Sequence, residues 1–258
     1  MATGESAVPR QDSNLRHRPE TANTAPDRHA SRPPTRTVHT YPLIGYFASI
    51  QEGVIYPVVA TFTLLTAGYD PLAPRNVGRD GRDQPWHVAS TVALLRDGDA
   101  IVVVDPGMVA DRKLILDPLT AAGVTPGQAT DVVFSHHHPD HTVNAALFPN
   151  ARCHDFWAIY YNDIWTVRPA DGFQISSSIR LIETPGHSPQ DITTIAETDE
   201  GTIALTHMWW HTDGPAEDPF ASDPDALRIN RRKILDLQPA LIVPGHGVPF
   251  APSENTPV

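Results

Sequence analysis

The 258-residue sequence predicts a layered α/β domain whose sheets are covered by helices. Three observations carry that class. Short β-branched runs recur along the chain, helical patterns stand between them, and several runs end in turns containing glycine or histidine. Hydrophobic residues make up 40% of the chain, enough to bury a substantial core in one large domain or two small ones.

From Met1 to about Arg36, Arg, Pro, Ser, Thr and Asp dominate with no apolar period. Residues 1–36 are therefore expected to form a disordered Arg/Pro-rich tail, with the folded domain over 37–258. Six arginines in the tail are interspersed with four acids, which weakens its reading as a nucleic-acid or membrane arm. The strand runs are "PVVATFTLL", "STVALLR", "AIVVVDPG", "DVVFSH", "IRLIETPG", "DITTIAE", "TIALTH" and "ALIVPGHG". A helix is expected over Ala110–Gly123, closing on its glycine, with Pro118 placed to divide it. Another starts near Ser222 or Asp223, takes Pro224 as its first residue and runs through "DALRINRRKILDL".

Composition excludes several functions. A net charge of -11 disfavours a general polyanion binder, which neutralises phosphates with a basic face. The lone Cys153 admits no internal disulfide, and the N-terminus lacks the apolar core of a signal peptide, so a cytoplasmic location is expected. The apolar stretch Val54–Gly68 is too short to span a bilayer and contains Pro57, so no membrane segment is expected.

The strongest chemical signal is "FSHHHPDH", residues Phe134 to His141, which follows an apolar run without a break. A tight turn after a strand aims His136, His138, Asp140 and His141 at one point, an arrangement that suits a metal. His137 falls between the donors and is left out of the ligand set. Two later histidines, His187 in "ETPGHSP" and His246 in "IVPGHGVPF", occupy matching settings after strands. Packing alone does not produce that repetition.

On these residues the chain resembles the metallo-β-lactamase-fold superfamily from about Tyr41 to Pro252, with "HHHPDH" as an HxHxDH motif followed in order by the two "PGH" turns. The resemblance implies a four-layer αββα sandwich with metals at one edge of the two sheets. It implies that His136, His138 and His187 hold one ion, that Asp140, His141 and His246 hold another, and that Asp105 in "VVVDPG" supports the site without binding metal. Zinc suits nitrogen and carboxylate donors, as one or two ions, with iron or manganese the alternatives. Zinc lowers the pKa of a bound water to about 7, which supplies hydroxide for attack on an acyl or phosphoryl centre, with Asp140 orienting the water and carrying its proton.

The pattern breaks at one position. Most hydrolases of the superfamily place a bridging aspartate after the strand between the two "PGH" turns, where this chain reads "LTHMWW" and puts His207. A carboxylate has two oxygens and joins two cations, whereas neutral imidazole offers one lone pair. His207 is then a terminal ligand of one metal, a supporting or substrate-contacting group, or the mark of a mononuclear site, and Asp213 is a candidate substitute carboxylate.

The chain ends twelve residues after His246, places His187 and His207 only twenty residues apart, and has no tyrosine between His207 and His246. These features set it apart from glyoxalase II-like enzymes, from nucleases of the fold and from quorum-signal lactonases. It most resembles short single-domain hydrolases related to metallo-β-lactamase domain-containing protein 1. The expected activity is hydrolysis of a small ester, lactone, amide or thioester. The alternatives are a phosphodiesterase or nuclease, and a metal-binding protein with little hydrolytic activity. The partner is expected to be a small molecule, apolar or aromatic if the tryptophans of "HDFWAIYYNDIW" and "HMWWH" line the cleft. Met208, Trp209 and Trp210 are either cleft walls or core.

Overall fold

The computed structural model describes residues 49–51, 54–56, 59–70 and 85–258. The expected tail, 1–36, and the start of the expected domain lie outside them. In chain order the elements are β1 (Ser49–Gln51), β2 (Val54–Tyr56), β3 (Thr61–Thr66), β4 (Val92–Asp97), β5 (Ala100–Val104), α1 (Lys113–Ala121), β6 (Asp131–Val133), the single turn α2 (Pro139–Thr142), β7 (Arg152–His154), β8 (Ala158–Tyr161), β9 (Ile164–Val167), β10 (Ile179–Glu183), β11 (Ile192–Thr198), β12 (Gly201–Thr206), α3 (Pro224–Asp236) and β13 (Leu241–Pro244). All belong to one compact unit, Tyr46–Val258.

Beyond the β1–β2 hairpin there are two sheets, a seven-stranded one in the order β3-β4-β5-β6-β7-β8-β9 and a four-stranded one in the order β10-β11-β12-β13. Leu95, Val102, Val104 and Val133 of the first sheet pack against Ile179, Leu181, Ile203, Leu205 and Val243 of the second. The outer face of the larger sheet, with Leu94, Val103 and Val132, is covered by Ile115 and Leu119 of α1. The outer face of the smaller one, with Ile195, Ala204 and Ile242, is covered by Leu227 and Ile234 of α3. Burial on both faces explains why these strands read as continuous apolar runs rather than alternating ones. The result is the expected αββα sandwich.

All eight expected strand runs form strands. The first helix is not divided at Pro118, which lies inside α1. In a nine-residue helix a proline at the sixth position removes one intrahelical donor, while Ile115 and Leu119 still seal the helix to the sheet. Gly123 follows at φ +74, a left-handed stop. Helix α3 begins as expected, with Asp223 Oδ1 accepting from the backbone N–H groups of Asp225 and Ala226 at 3.1 and 2.9 Å. The meander β7–β8–β9 was not among the expected strands.

Strand directions place the site. β5 and β6 are parallel, so their C-terminal ends emerge together. β10 and β12 are each antiparallel to β11, and β13 is parallel to β12, so these three also end on one side. The site residues follow those ends: the supporting Asp105 after β5, and the donors His136 after β6, His187 after β10, His207 after β12 and His246 after β13.

Candidate metal centre

Where β5 ends, Asp105 takes a left-handed backbone, φ +52. Its Oδ1 accepts the Ser135 N–H at 2.6 Å, tying the end of β5 to the end of β6. Gly107 lies against α2 so closely that a Cβ there would sit 1.4 Å from the Asp140 carbonyl oxygen. Helix α2 follows His138, with Pro139 first, and presents Asp140 and His141 from one turn.

The structure brings the expected donors together in three overlapping groups: His136, His138 and His187; Asp140, His141 and His246; and His136, His141 and His207. Within each group the ligand atoms lie within 4.8 Å of one another. His187 Nε2 is 3.2 Å from His138 Nδ1, and His207 Nε2 is 3.2 Å from His246 Nε2. Asp140 Oδ2 is 3.3 Å from His141 Nε2 and 3.7 Å from His246 Nε2.

Hydrogen bonds behind the donors fix which ring nitrogen faces inward. His141 Nδ1 meets Asp105 Oδ2 at 2.9 Å, His187 Nδ1 meets Asp218 Oδ2 at 2.7 Å, and His246 Nδ1 donates to the Ala89 carbonyl at 2.8 Å. His136 Nδ1 lies 3.1 Å from Ser135 Oγ. Each bond turns the opposite ring nitrogen toward the centre, where it can serve as a ligand when a metal takes the place of its proton. His207 differs, because its Nδ1 is buried without a hydrogen-bond partner.

Burial, reinforced by neighbouring imidazoles, pushes His136 and His207 well below the ordinary histidine range, and His246 down to about 4. His141 goes the other way: burial lowers it, but Asp105 and Asp140 outweigh that and raise it to about 9. Burial pushes Asp140 up, yet His141 and His246 hold it well below the usual carboxylate range. The centre thus sets His136, His207 and His246, which burial holds neutral, beside His141, whose carboxylate neighbours favour its charged form, and one firmly ionised carboxylate.

That donor set fits a cation. His136 Nε2 and His141 Nε2 are buried with no hydrogen-bond partner, a costly state for ring nitrogens that a cation among them would relieve. Two donors about 2.0–2.1 Å from one tetrahedral zinc ion are about 3.3 Å apart, close to the 3.2 and 3.3 Å separations found between neighbouring donors.

Other expectations are sorted by the fold. His137 turns away from the centre and meets Asp155 Oδ2 at 3.0 Å. Asp213 is exposed and joins none of the groups, so it does not substitute for a bridging carboxylate. The carboxylate delivered by that loop is instead Asp218, which accepts from the Trp210 indole N–H at 3.0 Å as well as meeting His187. Sequence reading missed it, since "EDPF" carries no periodicity and sits 31 residues beyond its partner. Met208 and Trp209 are core, packed on the outer face of the smaller sheet, because the chain turns after His207 and sends them toward α3. Trp210 does line the cleft.

The cleft above the donors holds about 360 Å³, with Trp86, Val88, Met108, Trp210 and Phe220 as its walls. Trp210 and Phe220 stack with ring centroids 5.6 Å apart, and Trp86 tilts against Phe220 at 5.9 Å. Trp157 and Trp165 line a separate hollow of about 670 Å³, together with Phe134, His137, Cys153 and Tyr160. Cys153 is half-buried, and burial with nearby Asp131 and Asp155 raises its thiol, which suits a packing role rather than a nucleophile. Among the described residues no helix is long and apolar enough to cross a membrane.

Comparison with known proteins agrees with this architecture. A Caenorhabditis elegans protein, C03F11.2, is 28% identical over 179 residues, 64% of this chain and 49% of that one, so the chain spans about half the length of that relative. Metallo-beta-lactamase domain-containing protein 1 of Xenopus laevis is 29% identical over 218 residues, 79% of this chain and 93% of that one. Among solved structures, a quorum-quenching N-acyl homoserine lactone lactonase matches with a TM-score of 0.52 at 19% identity, covering 73% of this chain and 91% of that one, a likeness of fold. The family model for the metallo-beta-lactamase superfamily matches residues 86–217, just over half the chain and the stretch holding every donor except His246. With its sandwich, its strand-end donors and that match taken together, the chain belongs to the metallo-beta-lactamase superfamily.

Proposed function

We propose that this protein is a metal-dependent hydrolase of a small, largely apolar ester, lactone, amide or thioester, with zinc as the metal. The observation that carries the reading is the convergence of seven donor side chains, five of which line an aromatic-walled cleft. His136, His138 and His187 would hold one ion, and Asp140, His141 and His246 another, with His207 as a further donor. A bound divalent ion supplies Lewis acidity for a carbonyl oxygen and lowers the pKa of a water molecule.

The chain's own residues do the rest. Asp105, Asp218, Ser135 and the Ala89 carbonyl hold four imidazoles in the orientation a ligand needs before substrate arrives. Asp140 lines the cleft, so its carboxylate is placed to orient a water and take its proton. Trp86, Val88, Met108 and Phe220 exclude solvent and offer apolar area to the part of the substrate that does not react. No lysine or arginine is found among the described residues of the cleft wall, which favours a neutral substrate over a phosphodiester. The lone, half-buried Cys153 fits a reducing cytoplasm.

The test is metal analysis of the purified chain followed by turnover of matched esters, lactones, thioesters and phosphodiesters. Zinc retention with hydrolysis of neutral acyl substrates supports the reading. A metal-loaded protein inert toward all acyl substrates overturns it and leaves a metal-binding role, while phosphodiester turnover alone assigns a phosphodiesterase.

A further inference from the structure

We infer that the hollow beside the β8–β9 hairpin is a second ligand site, separate from the metal cleft, and that it takes a quaternary ammonium group. It shares no lining residue with the cleft and needs no metal.

Strand alternation puts its walls on one side of the larger sheet. Tyr160 is level with Trp165 on β9 and with Cys153 on β7, so the three share a face. Cys153 and Phe134 pack against the cluster beneath α1, which makes that the outer face. Thr166 and Arg168 alternate to the inner one, where the Arg168 guanidinium lies 4.6 Å from the Phe173 ring centroid. The nearby cation of the chain is thus held behind the sheet, and among the described residues no lysine or arginine lines the hollow.

One buried carboxylate organises the rings. Asp155 is 2% exposed, and its Oδ2 accepts the Tyr160 hydroxyl at 2.6 Å and meets His137 Nε2 at 3.0 Å. Each of those rings meets a tryptophan edge to face. Tyr160 and Trp165 have centroids 4.8 Å apart at 88°, and His137 and Trp157 have centroids 5.1 Å apart at 73°. Two crossed ring pairs joined through one charge make the corners of an aromatic box.

Asp155 Oδ1 takes the backbone N–H groups of Trp157 and Ala158 at 2.7 and 2.8 Å. Burial pushes the carboxyl up, but its hydrogen bonds outweigh that and keep it ionised. With His137, Tyr160 and two backbone groups on it, the carboxylate has no acceptor position left. It offers charge without a hydrogen bond, which suits a cation that has no N–H to donate. A quaternary ammonium meets that condition, and the rings of Trp157 and Trp165, 49% and 72% exposed, attract it through their negative faces. The volume of about 670 Å³ lies within the range of about 300–1,000 Å³ usual for small-molecule sites.

The experiment is calorimetric titration of the full chain with choline, with its neutral tert-butyl isostere and with ethanolamine, its primary amine counterpart. Choline is expected to bind at least about tenfold more tightly than either. Trp165→Ala is expected to weaken choline about five- to tenfold, and Asp155→Asn by at least as much, while Trp86→Ala in the metal cleft leaves it within about twofold. Trp165 is largely exposed, so that variant decides the matter should Asp155→Asn fail to fold. Choline binding no tighter than that of either comparison compound, or no saturable choline binding below about 10 mM, overturns the inference. So does a loss in Trp86→Ala that Trp165→Ala does not show, which moves the cation to the metal cleft. Binding is read here without turnover, so its failure leaves the hydrolase reading standing.

Discussion

Replacing Arg231 by methionine should be among the most damaging changes outside the donor set. Arg231 is fully buried on α3, and its guanidinium donates to the carbonyls of Met208 at 2.7 Å, Pro215 at 2.8 Å and Ala216 at 2.9 Å. Those carbonyls bracket the loop that carries Trp210 and leads to Asp218, and the arginine also lies 5.7 Å from the Trp209 ring centroid. Methionine keeps the apolar contact of the arginine stem but leaves three carbonyls without their donor. Each buried orphan costs about 1–3 kcal/mol, partly offset because the buried charge is gone, so a loss of about 3–5 kcal/mol follows. With a urea m-value of about 2.5 kcal/mol/M for a domain of this size, the midpoint should fall by about 1–2 M. Urea unfolding of the metal-free variant is the assay, with Arg232→Met as the exposed control. A midpoint within about 0.2 M of wild type would refute the claim that this arginine clamps the loop.

Four further outcomes are expected. Gly107→Ala forces a Cβ into the Asp140 carbonyl and should cost about 3 kcal/mol or more together with metal retention. Gly98→Ala, at φ +57 with nothing within 4 Å of the added carbon, should cost only about 1 kcal/mol and spare metal, read by thermal melts and metal analysis. Trp86→Ala, at an exposed cleft wall, should raise KM for an aryl ester about tenfold relative to its acetyl counterpart with an unchanged melting temperature; equal loss on both substrates counts against the wall. The acid limb of stability should involve Asp131. Burial pushes this carboxyl up, but His154, Thr130 and Arg152 outweigh that and hold it below the usual range. Its stabilisation is therefore present above about pH 4, where the unfolded chain also ionises, and is lost as pH falls through the lower folded value. The gap in urea midpoint between wild type and Asp131→Asn should shrink below pH 4, and a constant gap counts against the assignment.

The sandwich was legible because its inner strands are buried on both faces, so "AIVVV" and "ITTIAET" announce themselves as apolar runs bounded by turns. The β8–β9 hairpin was not, since all four residues of β9 are exposed and its turn uses Asn162 at φ +54 in place of a glycine. The donors were legible for a related reason: each stands one to five residues beyond a strand or inside the one turn of α2, where local sequence and spatial position coincide. What supports them was hidden. Asp218 and Asp213 look alike in a loop without period, and Arg231 and Arg232 are neighbours on one helix. Only the rotation of α3, with Leu227, Arg231 and Ile234 on its inner face, separates the clamp from the exposed residue.

His207 and His246 leave the protein from adjacent parallel strands, with Thr206 level with Pro244. Their spacing is therefore set by a backbone ladder about 4.8 Å wide, which does not stretch to suit a ligand. Adjustment is confined to Trp86, Met108 and Phe220, each at least 40% exposed on the rim. The arrangement is a fixed anvil beneath a replaceable collar: substitutions at those three positions change what the cleft admits while the anvil stays as it was.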